Sequence, residues 1–142
     1  MMLLMVHLVC CAILVGLIWT IQLLHYPAFS FVRESHFLEF HQQHSQRITF
    51  LVGPLMVAEL ASAVGLVWLN FENALLWVNL SGVLLIWGCT FFISVPIHNS
   101  LAERFDVLQI RKLVLTNWFR TTLWSARLIL LIFVALSLNL QQ

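Results

Sequence analysis

Four separate runs of about twenty mainly apolar residues dominate this chain, each long enough for a helix to cross the ~30 Å hydrocarbon core of a bilayer. They cover residues 3–24, 48–69, 74–97 and 113–138. In lipid only helices and closed barrels satisfy their own backbone hydrogen bonds, and runs of this length belong to helices. Composition leaves little else open. The chain is 61% hydrophobic and 9% charged, whereas a soluble domain carries about 25% charged residues. Too few charges remain to coat a water-facing surface, which excludes a water-soluble enzyme and a disordered chain. The net charge of +1 provides no basic field for phosphates, which excludes a nucleic-acid binder. The expectation is one integral membrane domain over residues 1–142, an all-α four-transmembrane-helix bundle.

The connections are unequal. Asn70-Phe71-Glu72-Asn73 between the second and third runs is a tight turn. The stretch from His25 to Arg47 is long, yet between Pro27 and Gly53 it holds no Gly or Pro. Phe29, Val32, Phe37, Phe40 and Ile48 recur through it, so it reads as an amphipathic extension leading into the second span. The first run has no Lys or Arg at its start and no small-residue cleavage pattern before His25, so it reads as a retained helix rather than a signal peptide. Arg33, Arg47, Arg104, Arg111 and Lys112 all fall on the side of the first and third connections. The positive-inside rule then puts those connections in the cytoplasm and both termini outside, in an inner or plasma membrane.

That topology delivers distant polar residues to one membrane face. His25 ends the first span, His41 and His44 precede the second, and His98 ends the third. Asn117 and Arg120 begin the fourth. Bundles build cofactor and metal sites from inward-facing side chains in this way. His36 and His41 can equally be interfacial residues that meet water, and His7, near the opposite end, reads as an isolated polar residue. Cys10, Cys11 and Cys89 show no metal-ligand spacing and read as small buried hydrophobes.

Three charges lie within the spans. Glu59 is about 18 Å beyond Arg47 at ~1.5 Å of rise per residue, and Arg120 and Arg127 are about 12 and 22 Å beyond Lys112. Each would cost roughly 2.5–3.5 kcal/mol facing lipid at mid-span, so they should face inward and pair. Glu59 lies between the two arginines in depth and can bridge either. Asn117, Arg120, Trp124 and Arg127 share one face of the fourth span. Two arginines against one glutamate leave a positive charge for a carbonyl, a dipole or an anionic ligand to meet. Trp87, Thr90, Trp118 and Trp124 offer walls for a flat guest, although Trp19, Trp68, Trp77 and Trp118 also suit interfacial anchoring.

The segments Val95-Pro96-Ile97-His98-Asn99-Ser100-Leu101 and Asn117-Trp118-Phe119-Arg120-Thr121 resemble the C-terminal half of a family of small four-helix membrane proteins that includes the fungal anthrone oxygenases. That family carries Pro-x-Asn near the end of the third span and Asn-x-x-Arg-Thr at the start of the fourth; here His98 takes the asparagine's place and Asn99 follows. The resemblance implies oxidation of an aromatic polyketide-like or quinol-like substrate, with His98, Asn99, Asn117 and Arg120 at the site. In layout, with Tyr26-Pro27 after the first span and Pro54 in the second, the chain is also similar to the membrane haem-dependent protoporphyrinogen oxidases. That similarity implies His25 and His98 as haem ligands and Arg120 near a propionate.

The functional expectation is a membrane-embedded oxidoreductase-like or ligand-binding protein. Its His/Asn/Arg pocket, near the cytoplasmic face, would take a flat hydrophobic substrate or a cofactor. His98, Asn117 and Arg120 are the candidate catalytic residues, with imidazole as acid or base and the amide and guanidinium stabilising oxyanion charge. His25, His44, Asn99 and Trp124 are candidate cofactor-binding residues, and His25, His44 and His98 a candidate transition-metal set. Glu59 and Arg127 are structural or functional intramembrane charges. The rival readings are an accessory subunit or assembly factor of a larger complex, a homo-oligomer among them, and a haem- or metal-binding protein.

Overall fold

The computed structural model describes residues 2–139; Met1 and residues 140–142 of the expected single domain lie outside the described residues. The described chain is an all-α bundle of four helices, each long and apolar enough to cross a membrane. We label them α1 (Met2–Phe31), α2 (Glu34–Leu69), α3 (Ala74–Glu103) and α4 (Val107–Asn139). α1 packs on α2 and α4, and α3 packs on the same two, so the helices run up and down around one core. Asn73 accepts from the Leu75 amide at 3.0 Å to start α3, and Asp106 accepts from the Leu108 and Gln109 amides to start α4. These are side-chain caps on amides that have no intrahelical partner.

The extension before the second span is helical and continuous with it, but it begins later than the sequence pattern suggests. Phe29 belongs to the end of α1, and the chain reverses through extended backbone at Val32 and Arg33 before Glu34 opens α2. The other apolar runs likewise underestimate their helices: α1 continues past Leu24 to Phe31, and α3 past Ile97 to Glu103. Two wide π-turns permit this, Ile21–His25 in α1 and Thr90–Ser94 in α3, each just ahead of an X-Pro step at Pro27 or Pro96. Proline has no N–H to give the preceding turn, and here the backbone widens into a π-turn ahead of it. The Tyr26 and Val95 amides reach back to Ile21 and Thr90.

Burial is inverted relative to a water-soluble bundle. Phe50, Val57, Val64, Phe92, Leu115 and Ile129 face outward, while His7, Gln22, His41, Glu59, Asn79, Asn117 and Arg127 are buried. Apolar surface costs nothing in lipid, whereas a polar group without a partner there costs several kcal/mol. On α4, Asn117, Arg120, Trp124 and Arg127 do share the inward face.

Glu59 resolves its choice in favour of Arg127, whose Nη1 donates to Oε1 at 2.9 Å, with both residues almost fully enclosed. The Trp124 indole N–H donates to both carboxylate oxygens at 3.2 Å. Arg127 Nε donates to Asn79 Oδ1 at 3.1 Å, which turns the Asn79 amide N–H toward His7 Nε2 at 2.9 Å. With Nε2 accepting, His7 carries its proton on Nδ1 and donates it to Ser62 Oγ at 2.8 Å, and that hydroxyl donates to the Ala58 carbonyl at 2.7 Å. His7 is therefore no isolated residue but one end of a network that ties all four helices together. Gly82 makes room for it: a Cβ there would lie 2.6 Å from Arg127 Cδ.

Removing one partner of a buried pair strands the other charge, at about 3–5 kcal/mol. Arg127→Met should lower unfolding stability in detergent micelles by that amount, and adding Glu59→Leu should restore most of it. Equal stability of Arg127→Met and wild type would show that the pair does not hold the bundle. Gly82→Val should push Arg127 aside and reproduce much of the same loss, whereas Gly16→Val, in open space, should not.

Candidate functional site

Toward the end of the bundle where α1 meets α2 and α3 meets α4, the two π-turns flank a cavity of about 280 Å³. It lies between two apolar clusters, one built around Leu14, Met56, Ile86 and Trp124 and the other around Phe29, Phe37, Leu101 and Leu113. Most of its wall is apolar or aromatic, from Leu14, Ile18, Val52, Met56, Trp87, Phe91 and Trp124. Its polar residues are few: Tyr26, Thr49, Thr90, Ser94, His98 and Arg120. An apolar pocket with a handful of convergent polar groups is the usual form of a small-molecule site, and this volume falls just below the common ~300–1,000 Å³ range.

Arg120 dominates the electrostatics. Its Nη1 donates to Ser94 Oγ at 2.8 Å and, at 3.5 Å, to Thr90 Oγ1. Its guanidinium carbon stands 5.7 Å from the Trp124 ring centroid. Among the described residues it has no carboxylate partner, because Glu59 is committed to Arg127. Its Nε–H is buried with no acceptor, and so is the indole N–H of Trp87, another cavity residue. Such buried orphan donors are uncommon in folded proteins, and each calls for an explanation.

The histidines divide into two groups. Tyr26 Oη and His98 Nε2 are 3.1 Å apart, and His98 Nδ1 and His41 Nε2 are 3.0 Å apart. His25 and His44 instead stack on each other, with ring centroids 4.1 Å apart, and each has a buried Nε2 without a partner. They line a separate depression with Phe40, Gln43 and Arg47, and His25 does not reach the cavity. Among the described residues no three of His, Cys, Asp and Glu are arranged to hold a metal ion. The expected metal set of His25, His44 and His98 is thus not formed, since one ring is directed into another hydrogen-bond chain. Of the two residues that the haem similarity implies, His98 lines the cavity and His25 the separate depression, and both nitrogens of His98 are within hydrogen-bond distance of groups of the chain.

The remaining expected residues fall on either side of the cavity wall. Arg120, His98 and Trp124 line it. Asn117 lies behind the wall, where its amide donates to Gln22 Oε1 at 2.8 Å, and Gln22 in turn donates to the Val114 carbonyl at 3.2 Å. Asn99 is exposed in an outer depression beside His41 and His98. Sequence reasoning missed Tyr26 and Ser94 as site members. The single Tyr in the chain, set before a proline between two histidine-bearing segments, was the available signal for the first; nothing marks Ser94. Trp118 faces outward against Trp19, with ring centroids 5.7 Å apart, and Cys10, Cys11 and Cys89 are free and buried.

No family model, no curated protein and no solved structure matches the chain.

Tyr26→Phe removes the hydroxyl from His98 Nε2 and leaves that nitrogen unpaired, at about 1–3 kcal/mol. Nitrogen-15 spectra of histidine-labelled protein should show the His98 ring signals moving while those of His7 stay in place. Unmoved His98 signals would refute the Tyr26–His98 contact.

Proposed function

We propose that the protein is a membrane-embedded binding site, oxidoreductase-like in layout, for a flat hydrophobic molecule bearing ring oxygens, a quinol-like or aromatic polyketide-like compound. One observation carries the reading. Two buried N–H donors without acceptors, on Arg120 and Trp87, belong to the walls of one apolar cavity, and one of them sits on a cation with no anionic partner. A guest that satisfies them needs acceptor oxygens at its edge and an apolar body. A phenolic or quinol oxygen meets both needs, and its ionised form would be stabilised by a guanidinium in a low-dielectric site. His98 and Tyr26 stand at the same polar end, where a proton on that oxygen can be given or taken. Trp87, Phe91 and Trp124 supply the aromatic surface against which a planar ring packs.

The likeness of the segments around His98 and Arg120 to the anthrone oxygenase family points toward the same substrate class. The basic connections put the polar end of the cavity nearest the cytoplasm, with both termini outside. The Glu59 carboxylate is met within the chain by Arg127 Nη1 and the Trp124 indole, while Arg127 Nη2 is buried without a partner.

Titrating the detergent-purified protein with a nitronaphthol, a planar bicyclic phenol, should quench tryptophan fluorescence to saturation. A hydrogen bond to a charged group is worth about 1.5–3 kcal/mol, so Arg120→Leu should weaken binding roughly 10- to 150-fold at 1.4 kcal/mol per decade. Trp87→Phe should weaken it several-fold. Absence of saturable quenching, or equal affinity in Arg120→Leu, would end this reading.

A further inference from the structure

We infer that Tyr26, His98 and His41 form a proton relay joining the buried cavity to water at the basic end of the bundle, through which a ligand hydroxyl loses or regains its proton. The inference rests on the ligand-site reading above and adds the route.

Two separate concavities share one residue. Tyr26 and His98 line the cavity between the helices, while His98, His41 and Ser45 line a depression of about 590 Å³ on the outside of the bundle, among exposed Glu39, Gln42 and Asn99. The atoms between them are in hydrogen-bond register: Tyr26 Oη to His98 Nε2 at 3.1 Å, then His98 Nδ1 to His41 Nε2 at 3.0 Å. An imidazole that bonds through both nitrogens can take a proton on one and release it from the other. His98 does this here, between a hydroxyl on the cavity side and a second imidazole on the depression side. Exposed Thr49, Phe91 and Val95 leave the cavity partly open at the outer, lipid-facing surface of the bundle, which offers a proton no acceptor. Phe29 and Phe37 pack against His41, and the rings of Phe29 and His41 are 5.7 Å apart.

The transfer balances without any electron moving. The guest's O–H passes its proton to Tyr26 Oη as Tyr26 passes its own to His98 Nε2. His98 releases the Nδ1 proton to His41 Nε2; because His41 Nδ1 is buried without a partner, the resulting imidazolium gives a proton up again from Nε2, through Ser45 Oγ at 3.5 Å, to water over the depression. One proton has left, and one negative charge remains on the guest oxygen, beside the Arg120 guanidinium that has no other anion among the described residues. Reverse transfer along the same atoms returns the chain to its starting tautomers. The titratable or charged groups facing this path are Tyr26 from α1, Glu39 at the outer depression and His44, its ring 6.2 Å from that of His98, both from α2, and Arg120 from α4. His25 stacks behind His44 and does not touch the path.

The test is a stopped-flow pH jump on full-length protein in excess over bound nitronaphthol, whose visible absorption changes when it ionises. In wild type the bound dye should ionise faster than it dissociates. His41→Gln should slow that ionisation at least ten-fold, down to the dissociation rate, with dye affinity kept within about two-fold; Tyr26→Phe should slow it as much while also weakening the dye, whose hydroxyl loses its partner. In His41→Ala, added imidazole should restore the fast phase, which a purely structural role for His41 does not predict. Wild-type ionisation rates of the bound dye in His41→Gln, at retained affinity, and in Tyr26→Phe would overturn the relay and leave the binding site standing. No saturable dye binding by wild type would instead overturn the site, and the relay with it.

Discussion

The mutual setting of the four helices follows from the cost of leaving a buried charge unpaired where no water can reach it. Glu59 is the clearest case. A carboxylate at the middle of a span must be neutralised and hydrogen-bonded within the protein, and it recruits Arg127 and Trp124 from α4 for the purpose. Arg127 then needs a carbonyl oxygen for its Nε, which Asn79 of α3 supplies, and Asn79 needs an acceptor, which His7 of α1 supplies. One charge thereby fixes the rotation of all four helices about their axes. The lipid-facing surface asks for nothing comparable, because one apolar side chain serves there as well as another.

With Glu59 spent on Arg127, the second intramembrane arginine is left facing a cavity. The locking pair and the candidate site are in this sense one design. The network near the non-basic end holds the helices, and the unmatched guanidinium nearer the basic end is held open by the same packing. The π-turns contribute to both. By widening the helices before Pro27 and Pro96, they carry Tyr26 and His98 inward while letting α1 and α3 continue to their basic ends.

Much of this was legible beforehand. Four spans, the helical lead into the second, the tight turn at Asn70–Asn73 and the inward face of α4 all follow from hydrophobic length and helical periodicity, which are properties of consecutive residues. The convergence of His41, His98 and Arg120 at one end followed from topology. His7, by contrast, looked solitary, because its partners Ser62 and Asn79 are distant in sequence and unremarkable alone. His25 and His44 looked like ligands beside His98, and only their rotation about the helix axes shows them stacked in a different depression.

The sequence by itself determined that the chain is a membrane-spanning bundle with buried charges to be paired, since transfer energies and helix length depend on composition and order alone. Tertiary structure decided which arginine the glutamate took, which histidines met a hydroxyl and which met one another. Those outcomes turn on shifts of a few ångströms and tens of degrees between helices. Such shifts are set by side chains interlocking across the core, and no pattern along a single strand of text encodes them.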